Sequence, residues 1–71
     1  MIQKANKAYN DKDFKTAHEL FTILAEQGDA DAQTSLGYMY QTAQGCEKNE
    51  AKTLELYTKA AEAKQPYALF N

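Results

Sequence analysis

The sequence predicts an all-α protein, an α-α superhelix built from antiparallel helix hairpins. Three observations predict it. Apolar residues recur at spacings of three and four, Gly and Pro number only three and one in 71 residues, and the chain repeats its own pattern. A chain this short forms at most one small domain, so residues 1–71 are predicted to make a single helical-repeat domain.

Turn-forming residues interrupt the apolar pattern at four places, which are residues 10–13, 27–29, 44–49 and 65–66. The segments between these interruptions are long enough for helices and rich in helix-forming residues. They predict four helices and the start of a fifth, over residues 2–10, 13–27, 31–43, 50–63 and 67–71.

The predicted helix ends carry residues suited to capping. Asp13 is expected to cap the second helix, Asp29 or Asp31 the third, and Asn49 the fourth, because their side-chain oxygens accept from free backbone N–H groups. Gly28 suits the left-handed position that follows a helix end. These signals fix where three of the helices should begin.

Internal repetition supports the hairpin arrangement. Six residues between positions 17 and 32 align with the residues 36 positions later. Five of the six pairs are identical or both aromatic. The pairs are Ala17/Thr53, Leu20/Leu56, Phe21/Tyr57, Ala25/Ala61, Glu26/Glu62 and Ala32/Ala68. Upstream the offset is 32, with Ala5 and Ala8 aligned to Gly37 and Tyr40, so the second repeat carries four extra loop residues.

The apolar positions of the two repeats, with Gly37, divide into small and large residues. The small ones are expected to let helices approach closely, at Ala17, Ala25, Gly37, Ala60 and Ala61. The large ones are expected to fill the space beside them, at Phe14, Leu20, Phe21, Leu36, Tyr40, Leu56 and Tyr57.

The second repeat resembles the Sel-one-like repeat. The likeness rests on Leu36-Gly37-Tyr38-Met39-Tyr40, Gly45, Asn49-Glu50-Ala51-Lys52 and Tyr57-Thr58-Lys59-Ala60-Ala61-Glu62. The first repeat resembles the related tetratricopeptide repeat, through Ala5, Ala8-Tyr9, Asp13-Phe14, Ala17, Phe21 and Leu24-Ala25. The resemblance divides the chain into a tetratricopeptide-like repeat over 1–30, a Sel-one-like repeat over 31–66, and the opening of a further repeat at 67–71.

The same resemblance implies a binding surface. In these families the first helix of each pair lines a concave groove, and protein partners bind there. Carried over by alignment, the groove would present Asn6, Tyr9, Asn10, Thr34, Tyr38, Gln41 and Thr42. Such a polar and aromatic surface suits hydrogen bonding to a peptide and stacking on its side chains.

Composition argues against several other classes. The net charge is −2 and the chain contains no arginine, which disfavours nucleic-acid binding. No apolar run is long enough for a membrane span or a signal peptide, so a cytoplasmic protein is expected, or a periplasmic or secreted one if a signal was removed. No metal site, cofactor or catalytic residue is predicted, because the acidic residues are dispersed and the glycines isolated.

Two residues that occur once in the chain, His18 and Cys46, are candidates for reactive groups. His18 is the only histidine, and no motif places a nucleophile beside it, so it is interpreted as an exposed residue of the second helix. Cys46 is the only cysteine, and it is interpreted as a packing residue because a reactive thiol needs positive surroundings.

The function predicted from these features is a protein–protein interaction module or scaffold that binds a partner protein or peptide in the groove. The alternative is a self-associating fragment, a homodimer formed at the open end of the array through Tyr67, Leu69 and Phe70. A small hydrolase ranks last because no nucleophile–base pair is recognisable.

Overall fold

Residues 2–64 are described by a computed structural model, in which they form four α-helices and no strand. The helices are α1 Ile2–Asn10, α2 Phe14–Glu26, α3 Ala30–Thr42 and α4 Glu50–Lys64. Every end lies within one residue of its prediction, and the all-α helical-repeat fold class is confirmed. The predicted segment 67–71, and with it Tyr67, Leu69 and Phe70, lies outside the described residues.

The predicted caps set the helix starts. The Asp29 carboxylate accepts from the Ala32 backbone N–H at 3.0 Å, and the Asn49 side chain accepts from the Lys52 N–H at 3.0 Å. Asp13 accepts from the Thr16 N–H at a longer 3.4 Å. Of the two candidates for α3, Asp29 is therefore the cap, and Asp31 lies inside the first turn.

The helices pack in sequence, α1 on α2, α2 on α3 and α3 on α4, around one hydrophobic core. Phe21 and Met39 are its largest fully buried side chains. The apolar residues below one tenth exposure are Ala5, Ala8, Ala17, Phe21, Leu24, Ala32, Leu36, Met39, Leu56 and Ala60. The predicted aromatic residues Phe14, Tyr40 and Tyr57 are half-buried at its margin.

Close contact between α3 and α4 depends on Gly37. A Cβ built there would lie 3.0 Å from two Tyr57 ring carbons and 3.3 Å from the Leu56 Cβ. The Thr53 hydroxyl lies 3.1 Å from the Gly37 carbonyl oxygen and 3.0 Å from that of Asn49. Gly37 therefore acts as predicted, and a buried hydroxyl satisfies the backbone where the helices meet.

Ala61 departs from its predicted role. It was expected to face a neighbouring helix, but it is exposed on α4. Its equivalent Ala25 is half-buried because α3 packs beside α2, whereas no element of the described region packs against that face of α4. The alignment of Ala61 with Ala25 therefore predicted more burial of Ala61 than the structure shows.

Candidate functional site

Side chains from all four helices surround one pocket of about 300 Å³. Most of its lining comes from α1 and α3, with one aromatic residue each from α2 and α4. We call it the tyrosine pocket, and its lining residues are Asn6, Tyr9, Phe21, Thr34, Ser35, Tyr38 and Tyr57. A volume at the low end of ligand sites suits one large side chain better than a whole cofactor.

Two contacts fix the side chain of Tyr9, one through its ring and one through its hydroxyl group. Its ring packs edge-on against Phe14, with ring centroids 5.3 Å apart and planes at 66°. Its hydroxyl donates to the Gln44 side-chain oxygen at 2.7 Å. One wall of the tyrosine pocket is therefore fixed before any partner arrives.

The loop between α3 and α4 brings Gln44 to Tyr9. Ala43 ends α3 in the left-handed conformation with φ +57°, and the Gln44 N–H donates to the Met39 carbonyl at 3.0 Å. Gly45 follows with φ +74°, and a Cβ on it would lie 2.5 Å from the Phe14 carbonyl oxygen. The loop thus lies directly against the start of α2.

Two further hydroxyl groups of the pocket donate inside the protein. The Tyr57 hydroxyl donates to the Gln41 side-chain oxygen at 3.2 Å. The Thr34 hydroxyl donates to the Ala30 carbonyl one turn earlier, at 3.0 Å. With their hydrogens engaged, these two oxygens can only accept further hydrogen bonds.

The predicted groove residues divide into two sets. Asn6, Tyr9, Thr34 and Tyr38 meet in the tyrosine pocket. The other three, Asn10, Gln41 and Thr42, are exposed and do not line it. Two of these three support pocket residues instead, because Gln41 accepts from Tyr57 and the Thr42 hydroxyl donates to the Tyr38 carbonyl at 2.9 Å.

Sequence reasoning missed three of the seven lining residues, and also Gln44, which holds the Tyr9 hydroxyl. Phe21 and Tyr57 were assigned to the core alone, although their shared repeat position already indicated equivalent places beside α1 and α3. Ser35 follows a predicted groove residue directly on α3. Gln44 carried no signal, since its role depends on a loop conformation that no spacing rule predicts.

His18 is less exposed than predicted. It is half-buried, and its ring packs edge-on against Tyr40 with centroids 5.3 Å apart and planes at 79°. Its Nε2 is buried without a hydrogen-bond partner among residues 2–64. The interpretation as an exposed residue was wrong because α3 covers this side of α2.

Cys46 has the surroundings of a packing residue. Its Sγ lies 3.6 Å from the Met39 carbonyl oxygen and 3.7 Å from that of Gln44. Burial raises the pKa of its thiol. The pKa of Tyr40 is also raised, mainly by burial and to a smaller extent by the charge that Cys46 carries when it ionises. A raised thiol pKa reduces the nucleophilic thiolate at neutral pH.

A second depression of about 240 Å³, the outer cleft, lies between α2 and α4 with α3 as its floor. Its rim mixes acidic and basic side chains, namely Glu26, Lys52, Glu55 and Lys59. The Glu55–Lys59 pair already forms an ion pair at 3.2 Å. None of the predicted groove residues lines this cleft.

The described part of the chain, residues 2–64, shows neither a metal-binding cluster nor a membrane-spanning helix. No cluster of three or more His, Cys, Asp or Glu side chains there could hold a metal ion. Within the same residues, no helix combines the length and apolar character that crossing a membrane requires.

Comparison with protein families places two segments in one family. The Sel1 repeat model matches residues 11–29 and 30–64, which together cover most of the chain. The chain belongs to the Sel1 repeat family. The first match covers α2, and the second covers the α3–α4 hairpin that forms most of the tyrosine pocket. No solved structure matches the chain significantly.

Membership in the Sel1 repeat family has a general functional meaning. Sel1 repeats generally mediate protein–protein interactions and are typically not enzymes. Within this Sel1 repeat protein, the second match begins one residue before the predicted repeat boundary at 31. The first match shows that the family extends to α2, which the sequence resemblance had related to the tetratricopeptide repeat.

Proposed function

We propose that the chain is a protein-interaction module that binds a segment of a partner protein in the tyrosine pocket. The observation that carries this proposal is the convergence of Asn6 and Tyr9 from α1 with Thr34 and Tyr38 from α3 on one mostly apolar pocket. These helices are the ones expected to line the groove. Partly exposed tyrosines at such a place contribute strongly to protein–protein binding.

Tyr38 is the residue best suited to a test. It is 47% exposed, and its side chain is not part of the hydrophobic core. Tyr9 packs on Phe14 and bonds to Gln44, so its replacement would lower stability as well as affinity. Ile23 on α2 is 45% exposed and lies outside the pocket lining, which makes Ile23→Ala a matched control.

The experiment selects peptides from a random library displayed on phage, with the whole chain as target. Selected peptides are then titrated into wild type, Tyr38→Ala and Ile23→Ala. We expect Tyr38→Ala to lower affinity by about tenfold, as removal of an interface tyrosine commonly does, and Ile23→Ala to leave it unchanged. Circular dichroism should give equal helical content for all three proteins.

Two results would overturn the proposal. One is that the library yields no peptide that binds. The other is that every selected peptide binds Tyr38→Ala as tightly as wild type, which would place binding elsewhere on the molecule.

A further inference from the structure

The chemistry of the tyrosine pocket selects among partner side chains. The described residues that line it carry no formal charge, and three of its seven members are tyrosines, while the fourth aromatic residue, Phe21, is buried in the core. Aromatic faces carry negative electrostatic potential and attract cations placed over them. The chain as a whole has a net charge of −2. An anionic guest would therefore find no positive partner among these lining residues.

Hydrogen-bonding capacity points in the same direction. The hydroxyl hydrogens of Tyr9, Thr34 and Tyr57 are all engaged within the protein, with Gln44, the Ala30 carbonyl and Gln41. Their oxygens can therefore only accept from a guest. An apolar side chain that covered these oxygens would leave them without water and without a partner, which is costly.

Asn6, Ser35 and Tyr38 complete the polar part of the lining, and no hydrogen bond within residues 2–64 engages their side chains. Each can turn an oxygen toward a donor. A guest rich in N–H donors can thus be satisfied on several sides of the pocket.

From this arrangement we infer that the tyrosine pocket receives an arginine side chain of the partner protein. The inference rests on the proposed function and names the chemistry of its anchor. A guanidinium group is planar, stacks on aromatic rings and offers five N–H donors, whereas a lysine ammonium is compact and strongly hydrated. Because the chain contains no arginine, a second copy of itself cannot supply this anchor.

The test uses four small probes rather than an unidentified partner. They are the N-acetyl N-methylamides of arginine, citrulline, lysine and norleucine. Citrulline keeps the length and planar end of arginine and removes its charge. Binding is followed by NMR, through the ring signals of the five tyrosines.

We expect the arginine probe to shift the signals of Tyr9, Tyr38 and Tyr57 in a saturable way. Citrulline should bind at least about threefold more weakly, since loss of the cation removes the attraction to the rings. Tyr38→Phe keeps the aromatic face and should retain binding, Tyr38→Ala should weaken it, and Ile23→Ala should not change it.

The inference is overturned if citrulline or norleucine binds as well as arginine, or if no probe shifts these signals. It is also overturned if lysine binds as tightly as arginine or more tightly. These outcomes are separate from failure of the proposed function. Library peptides that depend on Tyr38 but need no arginine would leave peptide binding standing and remove only the arginine anchor.

Discussion

Tyr9 of α1 and Gln44 of the α3–α4 loop are 35 residues apart in sequence, and the tyrosine hydroxyl donates to the amide oxygen at 2.7 Å. This bond connects the first helix of one repeat to the loop of the next. The loop is the segment that carries the four extra residues of the second repeat. The longer loop therefore helps to hold Tyr9 in the wall of the tyrosine pocket.

The contribution of this bond can be measured with a double-mutant cycle. Tyr9→Phe keeps the packing on Phe14 and removes the donor, while Gln44→Ala removes the acceptor. Each change is expected to lower the free energy of unfolding by about 0.5–1.5 kcal/mol, because a partly buried hydrogen bond is lost. Urea unfolding followed by circular dichroism gives the values.

The double variant is the decisive member of that cycle. If the two residues stabilise the fold through their shared bond, its loss should be smaller than the sum of the single losses. Strict additivity would mean that the bond contributes nothing to stability.

Gly45→Ala is expected to disturb the same wall more strongly. The glycine has φ +74°, and a Cβ on it would lie 2.5 Å from the Phe14 carbonyl oxygen and 2.8 Å from its carbon. Backbone must move to relieve this overlap, so the free energy of unfolding should fall by at least about 2 kcal/mol. Thermal and urea unfolding measure the change.

Gly28→Ala is the matched control for Gly45→Ala. Gly28 also has positive φ, +92°, but a Cβ there meets nothing within 4 Å. Gly28→Ala should lower the free energy of unfolding by about 1 kcal/mol, which is the penalty for an alanine in the left-handed conformation. Equal losses in the two variants would contradict the steric role assigned to the Gly45–Phe14 contact.

Ala43→Gly is expected to stabilise the protein. Ala43 ends α3 with φ +57°, a conformation that glycine adopts without steric cost. Glycine removes the steric penalty of the left-handed conformation, but it also gives the unfolded chain more conformational entropy. The net gain in the free energy of unfolding should be about 0.5–1 kcal/mol. The exposed helical residue Ala51 supplies the control, since Ala51→Gly should lower stability by about 0.5–1 kcal/mol.

The sequence was sufficient to predict the helices because their ends are encoded locally. Asp29 and Asn49 cap the helices that follow them, and Gly28 takes the left-handed position after α2. Each of these signals acts within four residues, which is the range over which capping rules hold. The choice of α1 and α3 as the main lining of the pocket came from the family resemblance.

Details that depend on tertiary contact could not be predicted in this way. His18 and Leu54 occupy the same position in the two repeats, 36 residues apart. His18 is half-buried against Tyr40, while Leu54 is 68% exposed. The same register thus gives opposite environments, because burial depends on which element packs next to a helix and not on the repeat pattern itself.

Tyr40 and Cys46 are expected to make the free energy of unfolding depend on pH in the alkaline range. Burial raises the pKa of both groups above their ordinary values, 10.0 for tyrosine and 9.0 for cysteine. The folded protein therefore keeps protons that the unfolded chain releases. The stabilisation is fully present below about pH 9 and is lost as the pH rises through the folded pKa values.

The variant Tyr40→Phe/Cys46→Ala isolates this effect, since phenylalanine keeps the ring that faces His18 and neither new residue ionises. The unfolding free energies of wild type and variant are measured by urea titration at intervals from neutral pH upward. The difference between the two free energies should stay constant near neutral pH. Above about pH 9 the wild type should lose stability relative to the variant, because only the wild type carries the two groups whose pKa is raised by folding. Lysine deprotonation affects both proteins alike, so parallel curves would contradict the assigned burial of the two groups.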